Sequence, residues 1–343
     1  MRVAVLAGGS IADFEPLVAL ARALTDAGAE VSLAGPASGA GLASGLGRFT
    51  AFGRVGPDGG TAPLTRRLAA RAMLAASTTA VEQADALVYA SDALAGPHLA
   101  ERFGLPSWRV DQVPTVKPAA PSGPVASLLD RAEVSSWRAG LGLPRRARPV
   151  PASVLGAYPI DLATGAETEV TGIWTMPEPP ASGHDSSPRA LVDVRDAECG
   201  IPDLELANQA VAACRRVALG VVLIGFPELA ASDVEVIDRL PDPAVLRGCR
   251  VALVTRSAAV PLRLGVPTAV VPAGAAGLFW AGFVSTRGVG ERIEPRGISA
   301  GRIGHHLGLG RKPGVARRAA HLGHRWRAEP GASRAARLVI SGR

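Results

Sequence analysis

A doubly wound α/β architecture in two halves is the fold class the sequence predicts. Three observations predict it. Short apolar runs alternate with segments of helical period from the first residues onward. The alternation stops at a proline-rich stretch and then starts again. The chain has 343 residues, more than one compact core usually holds.

The elements follow in order. "VAVLA" (3–7) reads as a strand, and Leu17, Val18, Leu20, Ala21 and Leu24 then recur at helical spacing. Gly28 falls where a left-handed helix stop belongs. "EVSLAG" (30–35) is the second strand, and a β-α-β start of this kind builds a parallel sheet. The glycine-rich run 35–47 follows the second strand rather than the first. Its spacing does not match a dinucleotide fingerprint, so it reads as a flexible loop. A long helix over 66–84, a strand over 85–90, a short helix over 98–104 and a strand over 106–113 complete the first half. The proline-rich stretch 114–124 holds no regular element.

Residues 176–188 are rich in Pro, Ser and Gly and form the predicted linker. The boundaries are thus a first half over 1–175, the linker, and a second half over 189–343, whose last helices are in a position to cross back. In the second half, strands are predicted at 189–194, 220–225, 234–238, 250–254 and 267–271, and a helix at 204–218. From residue 297 onward the chain is mostly helical. Ligands of such sheets bind beyond the carboxyl ends of the strands, so the cleft between the halves is the expected site.

Composition narrows the function classes. Hydrophobic residues make up 48% and charged residues 20%, as in ordinary globular proteins. No apolar run is long enough to cross a bilayer, and "RVAVLA" is too short for a signal-peptide core. The three cysteines, Cys199, Cys214 and Cys249, lie far apart and without metal-ligand spacing. Their odd count points to a reducing compartment, so a cytoplasmic location is expected. The net charge of +7 gathers in an arginine-rich tail, and lysine occurs only at Lys117 and Lys312. A basic tail can grip a polyanion or simply solvate a helical surface. Aromatics at 4% leave little for base stacking, so no nucleic-acid partner is predicted.

The turn "LAGGSIADFEP" (6–16) carries the chemistry. A glycine pair, a serine and an aspartate between a strand and a helix suit a phosphate cradle, a helix cap or a catalytic carboxylate. Four histidines, His305, His306, His321 and His324, sit on predicted C-terminal helices with no carboxylate or cysteine at ligand spacing. They read as surface residues, and no metal site is predicted. His98 is either a base in the cleft or a residue of a helix N-terminus. No nucleophile–histidine–acid constellation is discernible.

The two-halved order, opening with "GGSIADFEPLVALARALTDAGAEVSLAGP", resembles the natural-product glycosyltransferases of the GT-B fold. In that family the first turn reads roughly G-S-R-G-D-x-x-P. Gly9, Ser10, Asp13 and Pro16 match it, while Ile11 and Ala12 replace the arginine and second glycine. The segments 171–179, 240–254, 262–272, 279–290 and 327–340 are also similar, so the likeness runs nearly end to end. It implies an inverting transfer of a sugar from a nucleotide-sugar co-substrate to a hydroxyl of a hydrophobic antibiotic-type product, with no resident cofactor. Asp13 would be the base, with Ser10, Ile11, Trp108 and Asp111 on the acceptor side. As a residue beside a helix start, Asp13 also reads as an N-cap, and the two roles do not exclude each other.

On the donor side, the family places a histidine and a glycine-rich loop at a helix N-terminus, where amides and the helix dipole meet the diphosphate. Here "VTRSAAVPLRLGVP" (254–267) has no histidine and no glycine before Gly265. Ser257 is left as a cap and Arg256 and Arg263 as positive charge, Arg256 reading equally as a surface residue. Ala276 and Gly277 stand where the family often has an Asp-Gln pair, and Trp280 beside them is expected on the donor side, packing in the donor lobe. Asp193, Asp196 and Glu198 replace a glycine-serine loop and would repel a diphosphate. A degenerate donor site is therefore expected. Three functions follow: a working glycosyltransferase, an auxiliary or scaffold partner of a true transferase, or an enzyme that kept Asp13 as acid/base and left nucleotide sugars behind. The partners expected are a hydrophobic natural product and a partner enzyme or a second copy of this chain.

Overall fold

The structure is a computed structural model, and it describes residues 1–53, 63–114, 134–145, 152–163, 167–176, 188–195, 201–237 and 248–342. The chain divides into two compact units. One comprises Met1–Met176 with Pro330–Arg343, and the other Pro177–Glu329. The predicted linker and the proline-rich stretch from 115 onward fall almost wholly outside the described residues.

The first unit is built on a seven-stranded parallel sheet in the order β3-β2-β1-β4-β5-β6-β7. Its strands are β1 (Arg2–Leu6), β2 (Glu30–Pro36), β3 (Arg48–Phe52), β4 (Ala86–Ala90), β5 (Ser107–Asp111), β6 (Ser153–Gly156) and β7 (Thr168–Val170). Parallel strands covered on both faces need apolar side chains on both, and all five residues of β4 are buried. Three helices follow in chain order: α1 (Ile11–Asp26), α2 (Pro63–Val81) and α3 (Gly96–Phe103). Residues 134–140 form a further helix, α4. Right-handed crossovers put α1 on one face of the sheet and α2, α3 and α4 on the other, because the chain runs outward from β1 through β2 and then returns to β4 and β5.

The second unit carries a six-stranded parallel sheet in the order β10-β9-β8-β11-β12-β13. Its strands are β8 (Arg189–Asp193), β9 (Gly220–Ile224), β10 (Val234–Ile237), β11 (Cys249–Val254), β12 (Thr268–Val270) and β13 (Gly290–Arg292). Its described helices are α5 (Asp203–Arg216), α6 (Ala259–Arg263), α7 (Gly274–Arg287), α8 (Ala300–Leu307) and α9 (Pro313–Arg327). The last helix, α10 (Ala332–Ser341), belongs to the first unit. Ala332, Ala335, Ala336 and Val339 join its core, and α10 packs against α1. A bond from Gly331 N to Thr171 O (2.8 Å) ties the returning chain down.

The glycine-rich run 35–47 differs from the expected flexible loop. A Cβ at Gly35 or Gly39 would overlap the ring of Phe14, which is fully buried in the space those missing side chains leave. Gly47 has φ +107°, with Val31 O lying where a side chain would project. The run is a packed turn that delivers β3, a strand the periodicity did not mark. β6, β7 and β13, of three or four residues each, are too short to show a period.

Candidate functional site

In an open parallel sheet, ligands bind where the strand order reverses, beyond the carboxyl ends of two neighbouring strands whose connections leave in opposite directions. The first sheet reverses between β1 and β4, the second between β8 and β11.

At the first reversal, β1 feeds Ala7–Gly8–Gly9–Ser10 and then α1. Ser10 is the N-cap: its backbone is extended and its Oγ accepts from Asp13 N (3.4 Å). This corrects the cap reading of Asp13, which is the third residue inside the helix. Ser10, Ile11 and Asp13 are all half-buried. A carboxylate in the first turn is favoured by the helix dipole. Gln112, just past β5, donates from Nε2 to Asp13 O at 2.6 Å and so fixes the backbone beneath the carboxylate. From the neighbouring strand, the exposed carboxylate of Asp92 lies over Gly8, where any Cβ would overlap it. Sequence reading did not mark Gln112 or Asp92. The available signal was their position, one or two residues past the end of an apolar strand.

Asp111 and Trp108 are in β5 and mostly out of reach of solvent, at 5% and 2% exposure. Asp111 is committed within the fold. Arg109 donates to both its oxygens, Nε to Oδ1 at 3.1 Å and Nη2 to Oδ2 at 3.0 Å. Burial raises the hydroxyl pKa of Tyr158, and the negative charge of Asp111 adds to that, so the phenol stays protonated. Between α2 and α4 lies a cavity of about 550 Å³, lined by Leu74, Ala75, Thr78, Trp137, Leu141 and Arg71 among others. That is the size of pockets that hold drug-sized ligands.

At the second reversal, Asp193 and Arg195 form a bidentate pair, Nε to Oδ1 at 2.9 Å and Nη2 to Oδ2 at 3.0 Å. Arg195 is 7% exposed. The expectation that Asp193 repels a diphosphate does not hold in this form, because its charge is met by a guanidinium. Asp196 and Glu198 lie outside the described residues. Arg256 is half-buried, directly after β11, and Ser257 Oγ accepts from Ala259 N (3.3 Å) at the start of α6. That helix has five residues, and Arg263 is at its carboxyl end, away from the amino end where an anion would be drawn. Trp280 is a core residue, not a ligand-facing one. It is fully buried, with Phe279, Phe283 and Trp326 rings at 5.3, 5.6 and 6.3 Å.

The first turn of α7 lies directly on the end of β11. Ala273 N bonds Thr255 O (3.1 Å), and a Cβ at Gly277 would overlap that same carbonyl oxygen. The glycine is thus a packing requirement. Gly277→Ala is expected to cost about 1–3 kcal/mol by forcing α7 off the sheet, read as a lowered midpoint in chemical denaturation. A midpoint equal to that of the parent protein would show that α7 has room to spare.

His98 is not a base open to a cleft: it is buried and bonded to Arg138. His306 is not a bare surface residue, since its Nδ1 lies 2.6 Å from Glu291 Oε2, and Lys312 holds the other oxygen at 3.0 Å. Among the described residues, no group of three or more His, Cys, Asp or Glu is placed to hold a metal ion. Burial pushes the thiols of Cys214 and Cys249 up to about 12, so both are protonated and poor nucleophiles. No described helix is long and apolar enough to cross a membrane.

No protein-family model and no curated protein matches the sequence. Solved structures do match the fold. A glycotransferase of kitacinnamycin superposes with a TM-score of 0.73 at 21% identity, over 99% of this chain and 98% of that one. The glycosyltransferase SsfS6 of Streptomyces sp. SF2575, complexed with thymidine diphosphate, gives 0.69 at 19%, over 99% of both chains. The spinosyn rhamnosyltransferase SpnG, complexed with spinosyn aglycone, gives 0.68 at 20%, again over 99% of both. Two parallel-sheet units with a returning C-terminal helix, matched end to end by these enzymes, give this chain the GT-B fold of the natural-product glycosyltransferases.

Proposed function

We propose that this chain transfers a sugar to a hydroxyl of a hydrophobic natural product, with Asp13 as the base. The observation that carries the reading is the placement of Asp13. Its carboxylate is in the first turn of a capped helix, at the strand-order reversal of the first sheet, on a backbone pinned by Gln112. A neutral hydroxyl is a poor nucleophile, and a carboxylate in reach takes its proton as the oxygen attacks. The new bond joins the acceptor oxygen to the anomeric carbon. The bond from that carbon to the diphosphate oxygen breaks, and its electron pair leaves with the diphosphate. Attack opposite the leaving group inverts the centre. The apolar lining of the cavity between α2 and α4 suits the body of such an acceptor.

A thermal-shift titration with UDP, dTDP and GDP tests the donor half of this reading. At about a hundred times its dissociation constant, a bound nucleotide adds roughly 2.7 kcal/mol of apparent stability, a rise of several degrees. One of the three is expected to give that rise, and the one that does names the nucleotide of the activated sugar.

A second reading is favoured by a specific observation. The close seating of α7 on Thr255, with Ala276 and Gly277 in its first turn, leaves no side chain there to hold sugar hydroxyls. On this reading the chain keeps the fold without nucleotide sugars. It then acts on a natural product through Asp13 or serves as partner to a true transferase. A cooperative melt that none of the three nucleotides moves selects it.

A further inference from the structure

Arg138 is fully buried, and its guanidinium is spent on three groups. Nε donates to Pro144 O (2.8 Å). Nη1 and Nη2 donate to Glu101 Oε2 and Oε1 at 2.7 and 3.1 Å. Nη1 also lies 2.8 Å from His98 Nδ1. A guanidinium has no acceptor and does not lose its proton, so this last contact has one polarity: arginine donates and Nδ1 accepts. His98 is therefore neutral, with its proton on Nε2. Adding a proton at Nδ1 would set an N–H against an N–H and a positive charge against a positive charge.

The three side chains join α3 to α4. His98 and Glu101 are one turn apart on α3, and Arg138 is on α4. The preceding residue, Trp137, stands edge-on to the His98 ring at 6.0 Å and also lines the 550 Å³ cavity shared with α2. We propose that His98, Glu101 and Arg138 form a proton-operated latch: with the imidazole neutral, Arg138 holds α4 against α3, and protonation of Nδ1 releases α4 and with it the Trp137 wall of the cavity.

The electrostatics agree in sign. Burial lowers the pKa of His98 below its ordinary 6.5, and the charge of Arg138 lowers it further, while Glu101 opposes them. Of the other titratable or charged groups on elements packed against α3, Tyr89 is on β4, Arg109 and Asp111 form their own pair on β5, and Arg71 lines the cavity from α2. None of these adds to the shift of His98. A base whose pKa is lower in the folded state binds its proton more readily when unfolded. The stability it contributes is complete above 6.5 and is lost as pH falls through the lower, folded value.

The test needs neither donor nor acceptor, so it is independent of the proposed activity. The full chain is labelled with ¹⁵N-histidine and 5-fluorotryptophan, with the Trp137 fluorine signal assigned from Trp137→Phe. At pH 7.5 His98 should show the Nε2–H tautomer. Its titration midpoint should lie below 6.5, and the Trp137 signal should move with that same midpoint. In His98→Gln, which still offers an acceptor oxygen but no titrating nitrogen, the Trp137 signal should stay still. In Glu101→Gln, which removes the charge that favours the imidazolium, the His98 midpoint should fall further. A Trp137 signal that still moves in His98→Gln overturns the latch. So does a His98 midpoint at or above 6.5, or one that Glu101→Gln leaves in place or raises.

Discussion

Asp13→Asn is expected to lower turnover by about two to four orders of magnitude while leaving thermal stability nearly unchanged. The substitution is close to isosteric, and an amide cannot take the hydroxyl proton. The stability side rests on Ser10, since it supplies the cap and Asp13 does not. What Asp13 adds to folding is its charge near the helix N-terminus, about 0.3–1 kcal/mol at a partly exposed position. Gln112 bonds the carbonyl of residue 13, a contact that any side chain there retains. The measurement is steady-state turnover with the nucleotide sugar found by titration, alongside a melting curve. Turnover within about threefold of the parent protein would remove Asp13 as base and turn attention to Asp92, the exposed carboxylate of the neighbouring strand.

The second large effect belongs to Arg138→Met, expected to destabilise the first unit by about 3–5 kcal/mol. Methionine fills much of the volume but leaves Glu101 and Pro144 O without their donor. Removing one partner of a buried pair strands the other charge, which costs more than the pair itself contributes. The Glu101 side chain keeps 19% of its surface, so the loss should fall toward the lower end of that range. For a unit of this size it is a fall of roughly ten degrees in melting temperature. In the double variant with Glu101→Gln, the stranded charge is gone, and the combined loss should be less than the sum of the two. An Arg138→Met protein that melts with the parent would show that α4 is held by apolar contacts alone.

The elements legible in the sequence were those whose apolar period is long or whose strand is central. β1, β2, β4, β8, β9 and β11 are runs of buried residues in the middle of parallel sheets, and a continuous apolar run is what such burial requires. β6, β7 and β13 have only three or four residues each, and β3, an edge strand, has one buried residue in five, so no pattern accumulates in them. The glycines at 35 and 39 look like loop composition until Phe14 is seen beneath them. Gly277 looks like a lost sugar contact until Thr255 O is seen where its side chain would stand.

At the candidate site, the turn holding Ser10 and Asp13 could be found because strand, cap and helix are consecutive in the chain. Its neighbours could not. Gln112 and Asp92 reach the turn only because β1, β4 and β5 lie side by side, and the pairing of Asp193 with Arg195 decides whether a carboxylate counts as a free charge. Trp280 and His98 look like ligand-facing residues in the sequence, but burial among aromatic rings and against Arg138 gives them structural roles.

By itself, then, the sequence determined the two-unit parallel architecture and the location of one catalytic candidate, since periodicity and helix capping are local and are written in consecutive residues. Which charges are neutralised, which glycines are obligatory and which residues gather at each strand-order reversal were decided only by the tertiary structure. Those properties depend on distances between residues far apart in the chain, and a linear pattern does not encode them.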